Sequence, residues 1–165
     1  MGVYEPLASK YRPTNLDNFI GQQHLVGPSG PIRKFLELGR VPSMIFWGPP
    51  GTGKTTLAYI ISLNLYYDFY KMQAVNSGKD ELRKILKIAV NNQQYNKKTM
   101  LFLDEIHRWN KAQQDTLLPY VEKGLITLIG ATTENPSFTI ISALLSRTKV
   151  FVFNQHTPED ISILI

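Results

Sequence analysis

The 165-residue sequence predicts an α/β fold in which a parallel five-stranded sheet is sandwiched by helices. Three observations carry this expectation. Short strands alternate with helices along the chain, and several of those strands are apolar throughout, which calls for cover on both faces of the sheet. In addition, Gly48-Pro49-Pro50-Gly51-Thr52-Gly53-Lys54-Thr55 stands between a strand and a helix, the place where a loop can cradle phosphate.

The elements follow in order. An extended, proline-containing arm runs through about Thr14. Ser43 to Trp47 is a short apolar run fit for a buried parallel strand, and Thr56 to Leu63 reads as a helix with Leu57, Ile60, Ile61 and Leu63 turned inward. Tyr70 to Val75 is the second strand. Asp80 to Val90 is a helix with Leu82, Ile85, Leu86 and Ala89 on its buried face. Thr99 to Leu103 is the clearest strand, followed by a helix from Lys111 to Glu122, a strand from Ile126 to Ala131, a short helix near Ser142 to Ser146 and a strand from Lys149 to Phe153. Thr157 then offers an N-cap, Pro158 a first helical residue, and Glu159 and Asp160 acids in the first turn. That helix starts close to the last residue, so the sequence reads as part of a longer protein.

With 43% hydrophobic residues the chain is long enough for one domain with its own core. The net charge of +5 permits contact with nucleic acid, but a modest excess suits ATP, acidic partners or plain solubility equally well. Lys79, Arg83, Lys84, Lys87, Lys97 and Lys98 gather on and after one helix, where Asp80 and Glu81 interrupt them, and they read as a solvated face. There are no cysteines, which excludes disulfides, thiolate metal sites and a cysteine nucleophile. The amino terminus lacks the charged start and apolar stretch of a signal peptide, and no apolar run reaches membrane-spanning length. The expected location is the cytoplasm.

The chemistry begins at the loop. Its backbone N–H groups and the positive end of the following helix dipole point at one place, Lys54 adds a full charge there, and Thr55 offers a hydroxyl to Mg²⁺. Met100 to Glu105 is an apolar strand ending in two carboxylates, and ligands sit at the carboxyl ends of parallel strands. Asp104 is placed to hold Mg²⁺, through water, and Glu105 to align the water that attacks the γ-phosphate of ATP. Taken alone, two acids after a strand could equally cap a helix; the loop decides for the catalytic reading. Leu128 to Asn135 repeats the pattern of an apolar strand ending in hydrogen-bonding side chains, with Thr132 and Thr133 both candidates to contact the γ-phosphate. Arg147, at the end of a short helix, either answers the negative dipole end or acts as an arginine finger in a neighbouring subunit's site.

These residues resemble the AAA+ ATPases, and within them the clamp-loader-like branch. The resemblance is carried by Lys10-Tyr11-Arg12-Pro13, Phe19-Ile20-Gly21-Gln22, Asp104-Glu105-Ile106-His107-Arg108 and Ser146-Arg147, and it spans essentially the whole chain. GPPGTGKTTLA, DEIHRWNKAQQD, LIGATTENPSF and SALLSR are most similar to the replication-associated recombination ATPases and their eukaryotic Werner-helicase-interacting counterparts. The resemblance implies a P-loop NTPase of AAA+ type that hydrolyses ATP with Mg²⁺ and depends on DNA at stalled or gapped forks. It implies that Arg12, Pro13, Ile20 and Gly21 surround the adenine and ribose, and that Gly48, Pro50, Gly51, Thr52, Gly53, Lys54, Thr55 and Thr56 hold the phosphates. Thr133 becomes sensor 1, Arg147 the trans-acting finger, and Asn76 the residue that restrains Glu105, although Asn76-Ser77-Gly78 also reads as a turn and helix cap.

On the same basis residues 1–20 form an arm contributing to the adenine pocket, 21–156 the ATPase core and 157–165 the start of a lid that is not complete here. Implied partners are DNA (single-stranded, duplex ends or forks), a single-stranded DNA-binding protein and further copies of the chain in a tetramer. The alternatives are a RuvB-like branch-migration motor, which shares DEIHR and GATT but for whose extra hairpin there is no room between Asp104 and Thr133; a clamp-loader subunit; and a nucleotide-dependent scaffold on DNA.

Overall fold

The computed structural model describes residues 15–164. Five strands, β1 (Met44–Trp47), β2 (Asp68–Gln73), β3 (Thr99–Asp104), β4 (Thr127–Thr132) and β5 (Lys149–Val152), form one sheet in the order β2-β3-β4-β1-β5. Every pairing is parallel, as expected where each strand is separated from the next by helical crossover. The helices, in chain order, are α1 (Gln23–Val26), α2 (Pro31–Leu38), α3 (Lys54–Leu65), α4 (Lys79–Gln94), α5 (Lys111–Asp115), α6 (Leu118–Glu122), α7 (Pro136–Thr139), α8 (Ser142–Leu145) and α9 (Pro158–Leu164).

The strands are apolar at consecutive positions because both faces of the sheet are covered. Met44, Phe46, Met100, Phe102, Ile129 and Ala131 share one face and join Leu25 and Val26 of α1, Ile32 of α2 and Leu57, Ile60 and Ile61 of α3. Ile45, Leu101, Leu103 and Leu128 alternate onto the other face and join Leu82, Ile85, Leu86 and Ala89 of α4, with Leu117 and Leu144. Two cores back to back make three layers. Each such leucine or isoleucine contributes roughly 1.5–3 kcal/mol on burial, so the central strands are the firmest support in the chain.

Several sequence expectations shift. The strand expected from Tyr70 to Val75 runs from Asp68 to Gln73, because Asp68 N–H already bonds the Lys98 carbonyl (2.8 Å) while the chain turns after Ala74 and leaves Val75 exposed. The helix expected from Lys111 to Glu122 is two pieces. Pro119 has no N–H to give to the Asp115 carbonyl and crowds it, so the helix stops at Asp115 and restarts at Leu118. Leu63, expected to face inward, is 40% exposed. Helices α1, α2 and α7 were not expected from the sequence, although α2 has Pro31 at its first turn and Gly39 closing it in the left-handed region (φ 82°). The α9 start matches its expectation: Thr157 Oγ1 accepts from Asp160 N–H (3.1 Å) and Asp160 Oδ2 accepts from Thr157 N–H (3.0 Å). Arg12 and Pro13 lie outside the described residues. Among the described residues no helix is long and apolar enough to cross a membrane.

Candidate nucleotide site

Parallel topology sends the carboxyl ends of β1, β3 and β4 to one edge of the sheet. Trp47 is in register with Thr132, and Leu103 with Gly130, so the segments that follow these strands emerge side by side. The loop after β1, Asp104 and Glu105 after β3, and Thr133 after β4 thereby converge. They line a cleft of about 350 Å³ whose walls are Pro50 to Thr56 with Asp104, Glu105 and Thr133.

The loop owes its shape to local contacts. Gly53 has φ 94°, and a Cβ there would stand 2.7 Å from the Phe19 ring, so only glycine allows the ring to close against the start of α3. Thr52 is buried and its Oγ1 donates to the Pro49 carbonyl (2.8 Å). Lys54 is half-buried, and its Nζ donates to the Gly48 carbonyl (2.6 Å) and the Pro49 carbonyl (2.7 Å). Desolvation pulls the Lys54 ammonium below the ordinary lysine range, against the opposing attraction of Asp104. The ammonium is thus held over the loop by weak dipoles that a phosphate oxygen can outcompete.

At the end of β3, Asp104 Oδ1 accepts the N–H of Glu105 (3.0 Å). Glu105 itself adopts φ 55°, a left-handed conformation that costs a residue with a Cβ on the order of 1 kcal/mol. The strained turn is held from its far side. Ile106 to Arg108 form one 3₁₀ turn; Ile106 is fully buried, and its Cδ1 would stand 2.8 Å from a Cβ at position 130, so Gly130 makes room for it on the sheet. Trp109 Nε1 donates to the Ala74 carbonyl (3.1 Å).

The two threonines at the end of β4 divide. Thr132 is buried (1% exposed), accepts Glu134 N–H (2.9 Å) and meets His107 Nδ1 (2.9 Å), whereas Thr133 is exposed in the cleft wall. Thr133 is therefore the threonine open to a ligand. Gly48 is buried beneath the loop and contributes its carbonyl. Thr55 and Thr56 line the cleft, and Thr55 with Asp104 offers the hydroxyl and carboxylate oxygens expected of a hard divalent cation. No group of three or more acidic, histidine or cysteine side chains is poised for a metal among the described residues.

Other expected residues stand apart. Asn76 is exposed in the turn after β2, outside the cleft wall, and its backbone N–H bonds the Gln73 carbonyl. Arg147 also lies outside the cleft. It ion-pairs with Glu122 (2.6 Å) and donates from Nη1 to the Ala143 carbonyl (2.7 Å). Ile20 is half-buried and Gly21 buried beside His156; neither lines the cleft. Lys79, Arg83, Lys84, Lys87, Lys97 and Lys98 are all exposed. A larger groove of about 670 Å³ lies between α4 and α5–α6 over Leu82, Leu86, Trp109 and Tyr120, and carries none of the phosphate-loop residues.

Sequence reasoning left three residues without a structural role. Gln22, buried, donates to the Asn154 carbonyl (2.7 Å) and accepts Asn154 N–H (2.8 Å), with a longer contact to the Thr52 carbonyl (3.5 Å). Phe19 supports Gly53, and His107 meets Thr132. Nothing in the spacing of these three residues reveals which neighbour each side chain reaches.

Residues 44–156 match the model of the ATPase family associated with various cellular activities (AAA). The chain is 50% identical over 158 residues to the replication-associated recombination protein A of Haemophilus influenzae, covering 96% of the chain and 35% of that protein. It is 48% identical over 162 residues to ATPase WRNIP1 of Dictyostelium discoideum, covering 98% of the chain and 18% of that protein. Among solved structures it is similar to the Thermotoga maritima RuvB Holliday junction branch migration motor, with TM-score 0.68, 30% identity, 93% of the chain and 52% of RuvB covered. A variant of the same RuvB aligns with TM-score 0.74. The chain thus spans about a third or less of the curated relatives named here.

Proposed function

The chain belongs to the AAA ATPase family, and from that premise we propose that it binds ATP with Mg²⁺ in the cleft and hydrolyses it within an assembly of like subunits acting on DNA in replication and recombination. The observation that carries the reading is the convergence of Lys54, Asp104, Glu105 and Thr133, from three separate segments, on one cleft beneath a phosphate loop.

The proposed division of labour follows from the donors. Loop amides and Lys54 hold the β- and γ-phosphates, exchanging the Gly48 and Pro49 carbonyls for phosphate oxygens. Thr55 and Asp104 would hold Mg²⁺, which when bound neutralises phosphate charge. Glu105 aligns and polarises the attacking water, and Thr133 approaches the γ-phosphate from the end of β4. Arg147, outside its own subunit's cleft and on an exposed helix end, would exchange its ion pair with Glu122 for a neighbour's site, where a guanidinium stabilises transition-state charge. Arg12, Pro13, Ile20 and Gly21 are assigned to the base and ribose, and Asn76 to restraint of Glu105, by resemblance alone.

The DNA role rests on the names of the relatives and is proposed for the whole protein. Its substrates would be single-stranded DNA, duplex ends or forks, with a single-stranded DNA-binding protein as partner, a tetramer as assembly and the bacterial cytoplasm as location. The division into arm, core and lid start is kept as part of the same proposal. A RuvB-like motor is disfavoured by one observation: among the described residues no strand lies between β3 and β4, where an extra hairpin would insert.

The test is phosphate release by the full-length protein with single-stranded, duplex-end, forked and four-way DNA, alongside Glu105→Gln. Retained ATP binding with turnover reduced about 100-fold or more supports the enzyme. Unchanged turnover in Glu105→Gln removes Glu105 from its role, and stimulation by four-way junctions alone revives the RuvB-like reading.

A further inference from the structure

Glu105 is presented by a turn that local forces would not choose. Its left-handed backbone is strained, and the 3₁₀ turn that follows is only three residues long, too short to hold itself. The Arg108 N–H bond to the Glu105 carbonyl (2.9 Å) closes the turn, and Trp109 Nε1 ties its far end to the Ala74 carbonyl (3.1 Å). Ile106 anchors it to the sheet through apolar contact with Gly130, which sets depth and gives little angular restraint.

On the side facing β4, the directional restraint comes from His107. Its Nδ1 shares a hydrogen bond with Thr132 Oγ1 at 2.9 Å, joining two segments 25 residues apart. Thr132 is 1% exposed, so the bond is buried on its threonine side while His107 is half-buried, and Thr132 Oγ1 also accepts Glu134 N–H at 2.9 Å. One hydroxyl therefore fixes two things: the path of the chain just after Thr133, and the angle of the turn that follows Glu105.

We propose that the His107–Thr132 hydrogen bond is a positioning device that couples the γ-phosphate contact at Thr133 to the water-aligning carboxylate of Glu105. His107 touches no reacting atom in this scheme. A shift of the β4 end on contact with the γ-phosphate reaches Glu105 through a single side-chain bond, so the acid is aimed when triphosphate is bound. The inference rests on the proposed ATPase reading of the cleft.

The test compares His107→Ala, His107→Asn, Thr132→Val, Thr132→Ser and the double variant His107→Ala/Thr132→Val in the full-length protein. The readouts are steady-state ATP turnover and the affinity for a fluorescent ATP analogue. Asparagine places a polar atom near the Nδ1 position, and serine keeps the hydroxyl, so both preserve the bond. Expected are losses in kcat of about tenfold for His107→Ala and Thr132→Val, with nucleotide affinity changed by less than about twofold. The double variant should be no worse than either single one, and His107→Asn and Thr132→Ser should stay within about threefold of the parent. Valine, nearly isosteric with threonine but without the hydroxyl, and serine, which keeps the hydroxyl, together separate positioning from loss of fold. Unchanged kcat in His107→Ala, multiplying losses in the double variant, or His107→Asn as slow as His107→Ala would each overturn the proposal. Glu105→Gln run in parallel separates the two failures: if it abolishes turnover while His107→Ala does nothing, only the coupling is wrong, and if it too turns over normally, the ATPase reading falls.

Discussion

Gln114 is the residue whose replacement most directly tests how the segment after β4 is held to the segment after β3. It is 1% exposed and makes three hydrogen bonds: Nε2 donates to the Trp109 and Thr139 carbonyls (2.9 Å each), and Oε1 accepts Ile141 N–H (2.9 Å). It thereby ties α5, which follows the turn at Glu105, to the segment leading into α8 and Arg147. Gln114→Leu keeps the volume approximately and removes all three bonds. At about 1 kcal/mol per bond, with buried backbone groups left unpaired, the loss should be about 3 kcal/mol. For a chain of this size that corresponds to a fall in Tm of about 6–12 °C. Gln114→Glu keeps the acceptor but loses both donors and buries a charge, so it should be at least as damaging. Urea unfolding followed by circular dichroism measures both, with an unchanged slope confirming that stability rather than the unfolded state has moved. A cost below about 0.5 kcal/mol for Gln114→Leu, or Gln114→Glu milder than Gln114→Leu, refutes the reasoning.

Two further outcomes concern the cleft. Burial holds the Lys54 pKa below its ordinary value in the free protein, and a bound phosphate raises it, so the complex keeps the proton more tightly; ATP affinity should be level below the free pKa and fall as pH rises through it. A fluorescent-nucleotide titration from about pH 7 to about pH 10 checks the sign, and affinity that climbs over that range contradicts it. Arg147→Ala should abolish turnover while leaving nucleotide binding nearly intact, and mixing it with inactive Glu105→Gln should recover activity at about a quarter of the subunit interfaces, those pairing an intact Glu105 with an intact Arg147. Absence of any recovery from mixed, co-assembled subunits rules out action across the interface.

Much of this was legible in the sequence because the signals were local and redundant. The phosphate loop, the strand before it and the helix after it agree with one another, and the apolar runs at Met100–Leu103 and Leu128–Ile129 allow little but buried parallel strands. What escaped was decided by tertiary contact. The boundary of β2 is set by its pairing with β3 and not by the apolar Val75, and Leu63 falls off the buried face of α3 although its neighbours Ile60 and Ile61 lie on it. The break before α6 was readable from Pro119. Thr132 and Thr133 could not be told apart by type, because only the β4 register decides which of two adjacent side chains is buried. The Asn154 partner of Gln22, the Thr139 and Ile141 partners of Gln114 and the Thr132 partner of His107 are far away along the chain, and no periodicity encodes them.

Strand β1 pairs with β4 on one side and β5 on the other, segments that are synthesised long after it. Such distant pairings close late, since loop entropy must be overcome before they repay it, so the cleft comes into being only as the sheet is completed. Nucleotide then recognises finished molecules and has nothing to grip on partly formed ones. Its protective effect should appear as slower unfolding rather than faster folding, and a cell short of ATP would first see this domain lose lifetime, not yield.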